Sequence, residues 1–302
     1  MAIIAKRLIP SDTGDIFPFK FQITTTAANT VFTVPLVDYA GLTPQVTISW
    51  GDGSGNSPLI TSSTSNNRIH TYTTAGIYTI TIAGLLPGFS VNNNSAIRNL
   101  ITGIVQFGTV GLRILNFYGC VNLTSIPSSA SLSALGGYEG LDEMISFASF
   151  MRGTRITSIP ADMFDYSPNA TTFTDCFSLN PSLTTIPSGL FDLVTGATTF
   201  ANCFLGCSIL TSVPSTLFDT NINVLSFAGL FRNCLQLTNV LQFTFNTAVT
   251  NFSNVYNMST VANALTGTAP ELWNRTPIPL GTNAFNNCTG LSNFASIPST
   301  WT

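Results

Sequence analysis

The chain has 302 residues, of which only 8% are charged, and its formal net charge is −3. A typical soluble protein has about 25% charged residues, and the ten Lys and Arg residues here are too few to predict nucleic-acid binding. The 44% hydrophobic and 11% aromatic residues exclude a disordered chain, and no apolar run reaches the roughly 18 residues of a membrane helix.

Residues 1–15 are interpreted as an N-terminal arm. Lys6 and Arg7 interrupt the apolar residues of MAIIAKRLIPSDTGD, so the segment lacks the continuous apolar stretch of a secretory signal peptide. The arm is too short to hold a core of its own. We expect it to dock on another protein, so that the chain works as an oligomer or as a bound subunit.

Residues 16–86 predict a β-sandwich. Alternating apolar residues in FPFKFQITTT and NTVFTVPLV indicate two strands, and RIHTYTTAGIYTITIAG indicates another half-buried strand. The segments WGDGS (50–54) and HTYTTAGIY (70–78) resemble the motifs of polycystic kidney disease (PKD) type domains, which are immunoglobulin-like sandwiches. The resemblance implies a spacer or adhesion module. Residues 87–96 are rich in turn formers and are interpreted as a linker.

Residues 97–302 predict a solenoid, because the sequence repeats with a period of 27 residues. Units begin at Ile156, Leu183, Leu210 and Leu237. Units of this size cannot bury their own apolar face, whereas stacked units bury a continuous core. The LTSIP segment of each unit is predicted as the strand and the NATTF segment as the return side. Two aromatic columns are predicted, one of Phe164, Phe191, Phe218 and Phe245, the other of Phe177, Phe204, Phe231, Met258 and Phe285.

The repeat pattern F-x-x-C-F-x-x-C-x-x-L-T-x-I-P resembles leucine-rich repeats of the BspA type. Such repeats occur in bacterial surface proteins and in some phage proteins. The expected fold is therefore mainly β, with a PKD-like sandwich followed by a leucine-rich-repeat solenoid with turns of about 27 residues.

The six cysteines are expected to be free, buried thiols. They form no CxxC pair and the chain has a single histidine, His70, so a zinc site is not predicted. Cys207, Cys234, Val261 and Cys288 share one column of the repeat. Because Val replaces Cys there, the column requires a small apolar side chain rather than a disulfide partner.

No catalytic, metal or cofactor site is predicted. Asp52 and His70 are interpreted as structural residues, because no GxSxG nucleophile motif accompanies them. A calcium site at Asp52 lacks a carboxylate cluster. Asp165, Asp192 and Asp219 share one repeat position, which indicates a repeated structural role such as capping a turn. Glycoside hydrolysis by paired carboxylates remains an alternative, although the chain has only Glu139, Glu143 and Glu271 as glutamates.

A column of threonines is the candidate contact surface. Its members occupy the same position in six successive units: Thr124, Thr157, Thr184, Thr211, Thr238 and Thr266. One interpretation is structural, since threonine is a favourable strand residue. The other is a regular polar face for a glycan or a protein.

The sequence favours a non-enzymatic protein on the surface of a bacteriophage virion, either a head or tail decoration or a fibre-like adhesin. Its partners are then other virion proteins and a glycan or protein of the host surface, and it is made in the host cytoplasm without a signal peptide. The nearly uncharged surface and the two adhesion-like modules support this interpretation. The alternatives are a bacterial cell-surface adhesin and an enzyme that acts on a polysaccharide.

Overall fold

The structure, a computed structural model, describes residues 17–128, 139–260 and 262–302. The predicted N-terminal arm and Val261 lie outside the described residues. The described chain is mainly β, and its helical elements are short 3-10 turns. Its strands are β1 (Phe19–Thr25), β2 (Thr30–Thr33), β3 (Gln45–Ser49), β4 (Ile69–Tyr72), β5 (Gly76–Leu85), β6 (Gly88–Ser90), β7 (Ile101–Gln106) and β8 (Ile114–Asn116). The 3-10 turns are Asn66–Arg68, Glu139–Leu141, Leu272–Asn274 and Phe294–Ser296.

The N-terminal part contains a four-stranded antiparallel sheet with the order β3-β5-β1-β7 and a two-stranded sheet of β2 and β4. Alternate side chains of β1 are buried, as the period of a strand with one buried face requires. The Phe21 ring of the larger sheet lies 6.0 Å from the Phe32 ring of the smaller one. The two sheets therefore share an aromatic core.

The segment predicted as one strand from Arg68 to Gly84 is two strands in different sheets. The chain leaves β4 after Tyr72 and enters β5 at Gly76. Ile80 and Ile82 are buried as predicted, but Ile77 is 69% exposed. Residue alternation alone could not place this break.

The predicted linker at 87–96 differs from what the structure shows. Strand β6 lies within it and pairs in parallel with β8. Phe89 is fully buried and its ring contacts those of Phe19 and Phe117. Strand β7, assigned from the sequence to the repeat region, pairs with β1 in the N-terminal sheet. The N-terminal sheet and the repeats are thus joined by packing and not by a free linker.

Successive repeat units are hydrogen-bonded side by side in parallel register. Isolated parallel bridges link one position of each unit to the same position of the next: Ser146, Thr172, Thr199, Ser226, Asn251 and Leu280. Five of these six residues lie in or beside the NATTF-type segment that the sequence analysis assigned to the return side. The LTSIP segment contributes one bridge, between Thr185 and Ser212. The regular pairing is therefore concentrated on the side opposite to the one predicted.

Phenylalanine rings stack along the repeat axis in three columns. Neighbouring rings within a column lie 5.0–6.0 Å apart and are nearly parallel. The columns are Phe147, Phe173, Phe200, Phe227 and Phe252; Phe164, Phe191 and Phe218; and Phe177, Phe204, Phe231, Tyr256 and Phe285. Their members are at most 2% exposed, so the aromatic rings form the centre of the repeat core.

Two predicted column members are wrong. Phe245 is 55% exposed, and the buried Phe243 packs instead against Phe227 and Phe252. Tyr256, not Met258, stacks between Phe231 and Phe285. The unit that begins at Leu237 reaches its phenylalanine two residues early, so a fixed 27-residue count points to the wrong side chains.

Five units turn through two residues in the left-handed backbone conformation, which favours Gly and Asn, and the unit of Asn254 has only the first of them. One corner is formed by Ser149, Asp175, Asn202, Gly229, Asn254 and Asn283, with φ between 55° and 65°. The other is formed by Gly153, Leu179, Gly206, Asn233 and Asn287. Leu179 is the only apolar residue in either set.

The last described unit is covered by Trp301. Its side chain is 5% exposed, its carbonyl accepts a hydrogen bond from the amide of Phe285 at 2.7 Å, and its ring contacts Trp273. A β-carbon at Gly281 would collide with the Trp301 ring. The glycine therefore provides the space in which the tryptophan lies.

Candidate functional site

The predicted threonine column is exposed along its whole length. All six members, Thr124 to Thr266, have solvent-exposed side chains. Backbone hydrogen bonds join Thr157 to Thr124, and a second run joins Thr184, Thr211, Thr238 and Thr266 at 3.0–3.1 Å. No such bond joins Thr157 to Thr184, both of which the structure describes. Backbone hydrogen bonds therefore join the six residues into two separate exposed segments.

Three of the six hydroxyl groups of this column are already used as donors. The Thr211, Thr238 and Thr266 hydroxyls each donate to the carbonyl of the preceding threonine, at 3.3, 2.9 and 2.9 Å. Toward solvent, the oxygens of these three hydroxyl groups can therefore only accept hydrogen bonds. Such a row can receive hydrogen bonds from the hydroxyl or amide groups of a ligand.

A second row of the same kind was not predicted from the sequence. Thr171, Thr198 and Thr250 also donate their hydroxyls to a carbonyl of the preceding unit, at 3.1–3.2 Å. The signal was present as the first threonine of the NATTF-type segments, although Leu225 replaces threonine in one of them. Both rows make the same hydroxyl-to-carbonyl contact, which joins neighbouring units at six threonines.

Asp52 and His70 lie together in the N-terminal part. His70 Nε2 is 2.7 Å from Asp52 Oδ2, and each side chain is 18% exposed. The imidazole is stacked on the Trp50 ring at 4.7 Å and meets the Tyr72 ring edge-on. The Tyr72 hydroxyl donates to the Trp50 carbonyl at 3.0 Å. The contacts hold the loop after β3 against β4.

The protonation of this cluster follows from its contacts. Burial acts to raise the pKa of Asp52, but hydrogen bonds from Ser54 and His70 outweigh it and lower the pKa to about 2. Burial raises the pKa of Tyr72 well above its ordinary value, and the nearby Asp52 charge adds to this. Asp52 is therefore a carboxylate and Tyr72 a neutral phenol at neutral pH.

A nucleophile for this pair is not found among the described residues. The nearest hydroxyl, Ser54 Oγ, donates to Asp52 Oδ1 at 2.6 Å and has no hydrogen bond to His70. The arrangement Ser–Asp–His is the reverse of the order in a hydrolytic triad, where histidine activates the serine. The cluster therefore supports packing better than it supports nucleophilic catalysis.

The other carboxylates do not form an evident acid and base pair. Glu143 Oε2 is 2.7 Å from Arg113 Nη1, and Glu271 accepts from Asn274. Burial raises the pKa of Asp165, and the charges of Asp162 and Asp192 raise it further. No side-chain hydrogen bond of Asp165, Asp192 or Asp219 occurs in the described ranges, so the predicted turn-capping role is not seen.

All six cysteines are buried, as predicted, and none forms a disulfide. Burial raises the pKa of Cys207 to about 12. Cys207, Cys234 and Cys288 point their sulfurs at carbonyls of the preceding unit, at 3.0–3.3 Å. They behave as small apolar residues with a weak donor.

Within the described residues, no group of His, Cys, Asp and Glu side chains could hold a metal ion. None of the helices there is long and apolar enough to span a bilayer. No family model matches the sequence, and a search of curated proteins finds no significant match.

Proposed function

We propose that this chain is a non-enzymatic contact protein. In this proposal residues 97–302 are a leucine-rich-repeat solenoid of the BspA type, with turns of about 27 residues. A PKD-like, immunoglobulin-like module packs against its first turns. The solenoid makes contacts with a protein or a glycan at the surface of a bacteriophage virion, as a head or tail decoration or a fibre-like adhesin.

The observation that carries the proposal is the pair of exposed, uncharged threonine rows on a repeating scaffold. The first row repeats a threonine in six units, and the second has threonine in three units and Leu225 in one. Three hydroxyls of each row donate to the preceding unit and leave their lone pairs outward. The interior is occupied by aromatic stacks and buried thiols. Repeat proteins commonly bind through such extended faces, which supports contact rather than chemistry.

The virion setting rests on the resemblance of both parts to surface and adhesion modules and on the 8% charged residues. Other virion proteins would be the permanent partners and the host surface the transient one. Residues 1–15, outside the described ranges, are assigned the attachment role. Removing them should abolish incorporation into particles, while the circular dichroism of the remaining chain is unchanged.

Mass spectrometry of purified particles tests the setting directly. The expected result is a fixed ratio of this chain to the major capsid protein after density-gradient purification. Recovery in a bacterial cell-wall fraction, with none in particles, would replace the virion proposal by the adhesin alternative. Turnover of a polymeric glycan by the purified protein, lost on substituting Glu143 or Glu271, would replace it by the enzyme alternative.

A further inference from the structure

The repeat units that begin at Leu237 and Leu265 border an open cleft away from the predicted threonine column. Its volume is about 540 Å³, and it lies between residues 244–250 and 275–280. Small-molecule sites have volumes of about 300–1,000 Å³. The cleft is therefore large enough for a small ligand.

One wall of the cleft is a cation without a counter-ion. Arg275 Nη1 donates to the carbonyl of Asn246 at 2.8 Å, and Nη2 donates to that of Phe243 at 2.6 Å. The guanidinium also lies 5.2 Å from the Phe252 ring. In the described ranges it forms no ion pair, and the nearby Glu271 accepts from Asn274 instead. These contacts fix the guanidinium in place and leave its charge uncompensated.

The remaining walls combine hydroxyl groups with apolar side chains. Thr244, Thr247 and Thr276 line the cleft, and their hydroxyls make no hydrogen bond within the described parts of the chain. Ile278 and Leu280 also line it and are 69% and 63% exposed. Arg275 is the last charged residue of the sequence, so the part of the cleft that follows it is uncharged.

We propose that this cleft binds an acidic sugar, with the carboxylate of a uronic acid on Arg275. A guanidinium recognises a carboxylate through paired N–H groups. A threonine hydroxyl both donates and accepts, as a sugar hydroxyl does. The exposed Ile278 and Leu280 side chains provide a surface for the C–H face of the ring.

An acidic peptide fits the same observations less well. A peptide that adds to a sheet uses free backbone groups. Here the amides of Thr250 and Leu280 are already bonded to the carbonyls of Leu225 and Thr250, at 2.9 and 2.8 Å. The cleft therefore offers side-chain hydroxyls rather than a backbone edge. The inference goes beyond the proposed function, because the purified chain binds such a sugar whether or not it is part of a virion.

Isothermal titration of the purified chain with a galacturonic acid tetramer tests the proposal. A glucose tetramer is the neutral control. The acidic tetramer is expected to bind at least about tenfold more tightly than the neutral one. Arg275→Met should weaken acidic binding by about tenfold or more. Arg155→Met, which removes the same charge from an exposed position outside the cleft, should leave it within about twofold.

Four results would overturn the proposal: no heat up to about 10 mM ligand, equal binding of the neutral tetramer, full binding by Arg275→Met, or tighter binding of a tetraglutamate peptide. If Arg275→Met does not fold, Ile278→Glu replaces it, because Ile278 is exposed and a carboxylate there repels the ligand. Unchanged binding by Ile278→Glu would equally overturn the proposal. None of these outcomes alters the particle composition that tests the virion role.

Discussion

At the scale of single residues, the charge state of Asp52 affects the stability of the N-terminal part. Its carboxylate holds Ser54 and His70, and these bonds lower its pKa from 3.8 to about 2. A carboxylate whose pKa is lowered by folding stabilises the folded state above its unfolded pKa. That stabilisation is lost as the pH falls through the folded value.

We therefore predict that stability falls between about pH 4 and pH 2 through Asp52. The measurement is the urea midpoint of the wild type and of Asp52→Asn across this range, followed by Trp fluorescence. The difference between the two proteins should shrink toward pH 2, because protonation removes the charge that the variant lacks. The raised pKa of Asp165 has the opposite effect on the pH dependence of stability. This contribution is the same in both proteins, so it cancels in the difference between them. A constant difference would contradict the assigned pKa.

The buried thiols give a second prediction at this scale. The thiolate is the reactive form, and burial raises the pKa of Cys120, Cys207 and Cys288 to about 12. Iodoacetamide at pH 8 should modify none of the six cysteines in the native protein and all six in denaturant without reductant. Mass spectrometry counts the adducts. Fewer than six in denaturant would reveal a disulfide.

At the scale of elements, the aromatic columns hold the repeat units together. Phe204 stacks on Phe177 and Phe231 at 5.6 and 5.8 Å and is fully buried. Its neighbours are held by their own stacks, so they cannot close a cavity. Phe204→Ala should lower the free energy of unfolding by about 3–5 kcal/mol.

Thr211→Val is the matched control, because it removes one exposed hydrogen bond of 3.3 Å while keeping the shape. It should cost less than about 1 kcal/mol. Urea unfolding measures both variants. An equal loss of unfolding free energy in the two variants would show that the aromatic columns are not the main source of stability.

Leu179 is the corner residue at which substitution should stabilise the protein. It has a φ of 58° and its side chain is 42% exposed. A left-handed conformation costs an ordinary residue about 1–2 kcal/mol, and Asn and Gly adopt it more readily. Leu179→Asn should therefore raise the free energy of unfolding by about 0.5–1 kcal/mol. A lower thermal midpoint than that of the wild type would contradict the corner assignment.

The elements also show which features a sequence of this kind predicts. The 27-residue period correctly placed Phe191, Phe204 and Phe231 in the core, because an exact repeat preserves the register. It failed at Phe243 and Tyr256, because a two-residue deletion shifts the register within one unit. The Arg275 cleft could not be predicted, since it arises where that irregular unit meets the next, and no sequence period marks it.

At the scale of the whole molecule, one continuous apolar core extends from Phe19 to Trp301. Ring contacts pass from Phe19 through Phe89 and Phe117 to Phe150. The amide of Phe117 donates to the carbonyl of Phe150 at 2.7 Å. The N-terminal sheets and the repeats are therefore expected to stabilise one another.

A pair of fragments tests this boundary. A fragment of residues 17–96 lacks β7, whose Ile101 and Ile104 are buried beside β1. Each such side chain contributes about 1.5–3 kcal/mol, so 17–96 should be less stable than 17–128 by several kcal/mol. Chemical denaturation compares the two. Equal stability of the two fragments would instead support the linker at 87–96 that the sequence predicted.

The fixed register between neighbouring units affects how the gene for this protein can change. The regular units meet one another through the same ring stacks and largely the same backbone bonds, so a duplicated or deleted regular unit leaves surfaces that still match. Smaller changes need correction nearby, as in the unit between Leu237 and Leu265, where the shortened first half is followed by extra residues before the next unit. Duplication or deletion of a whole regular unit would therefore change the length of the exposed threonine rows in single steps and keep the ring stacks between the remaining units.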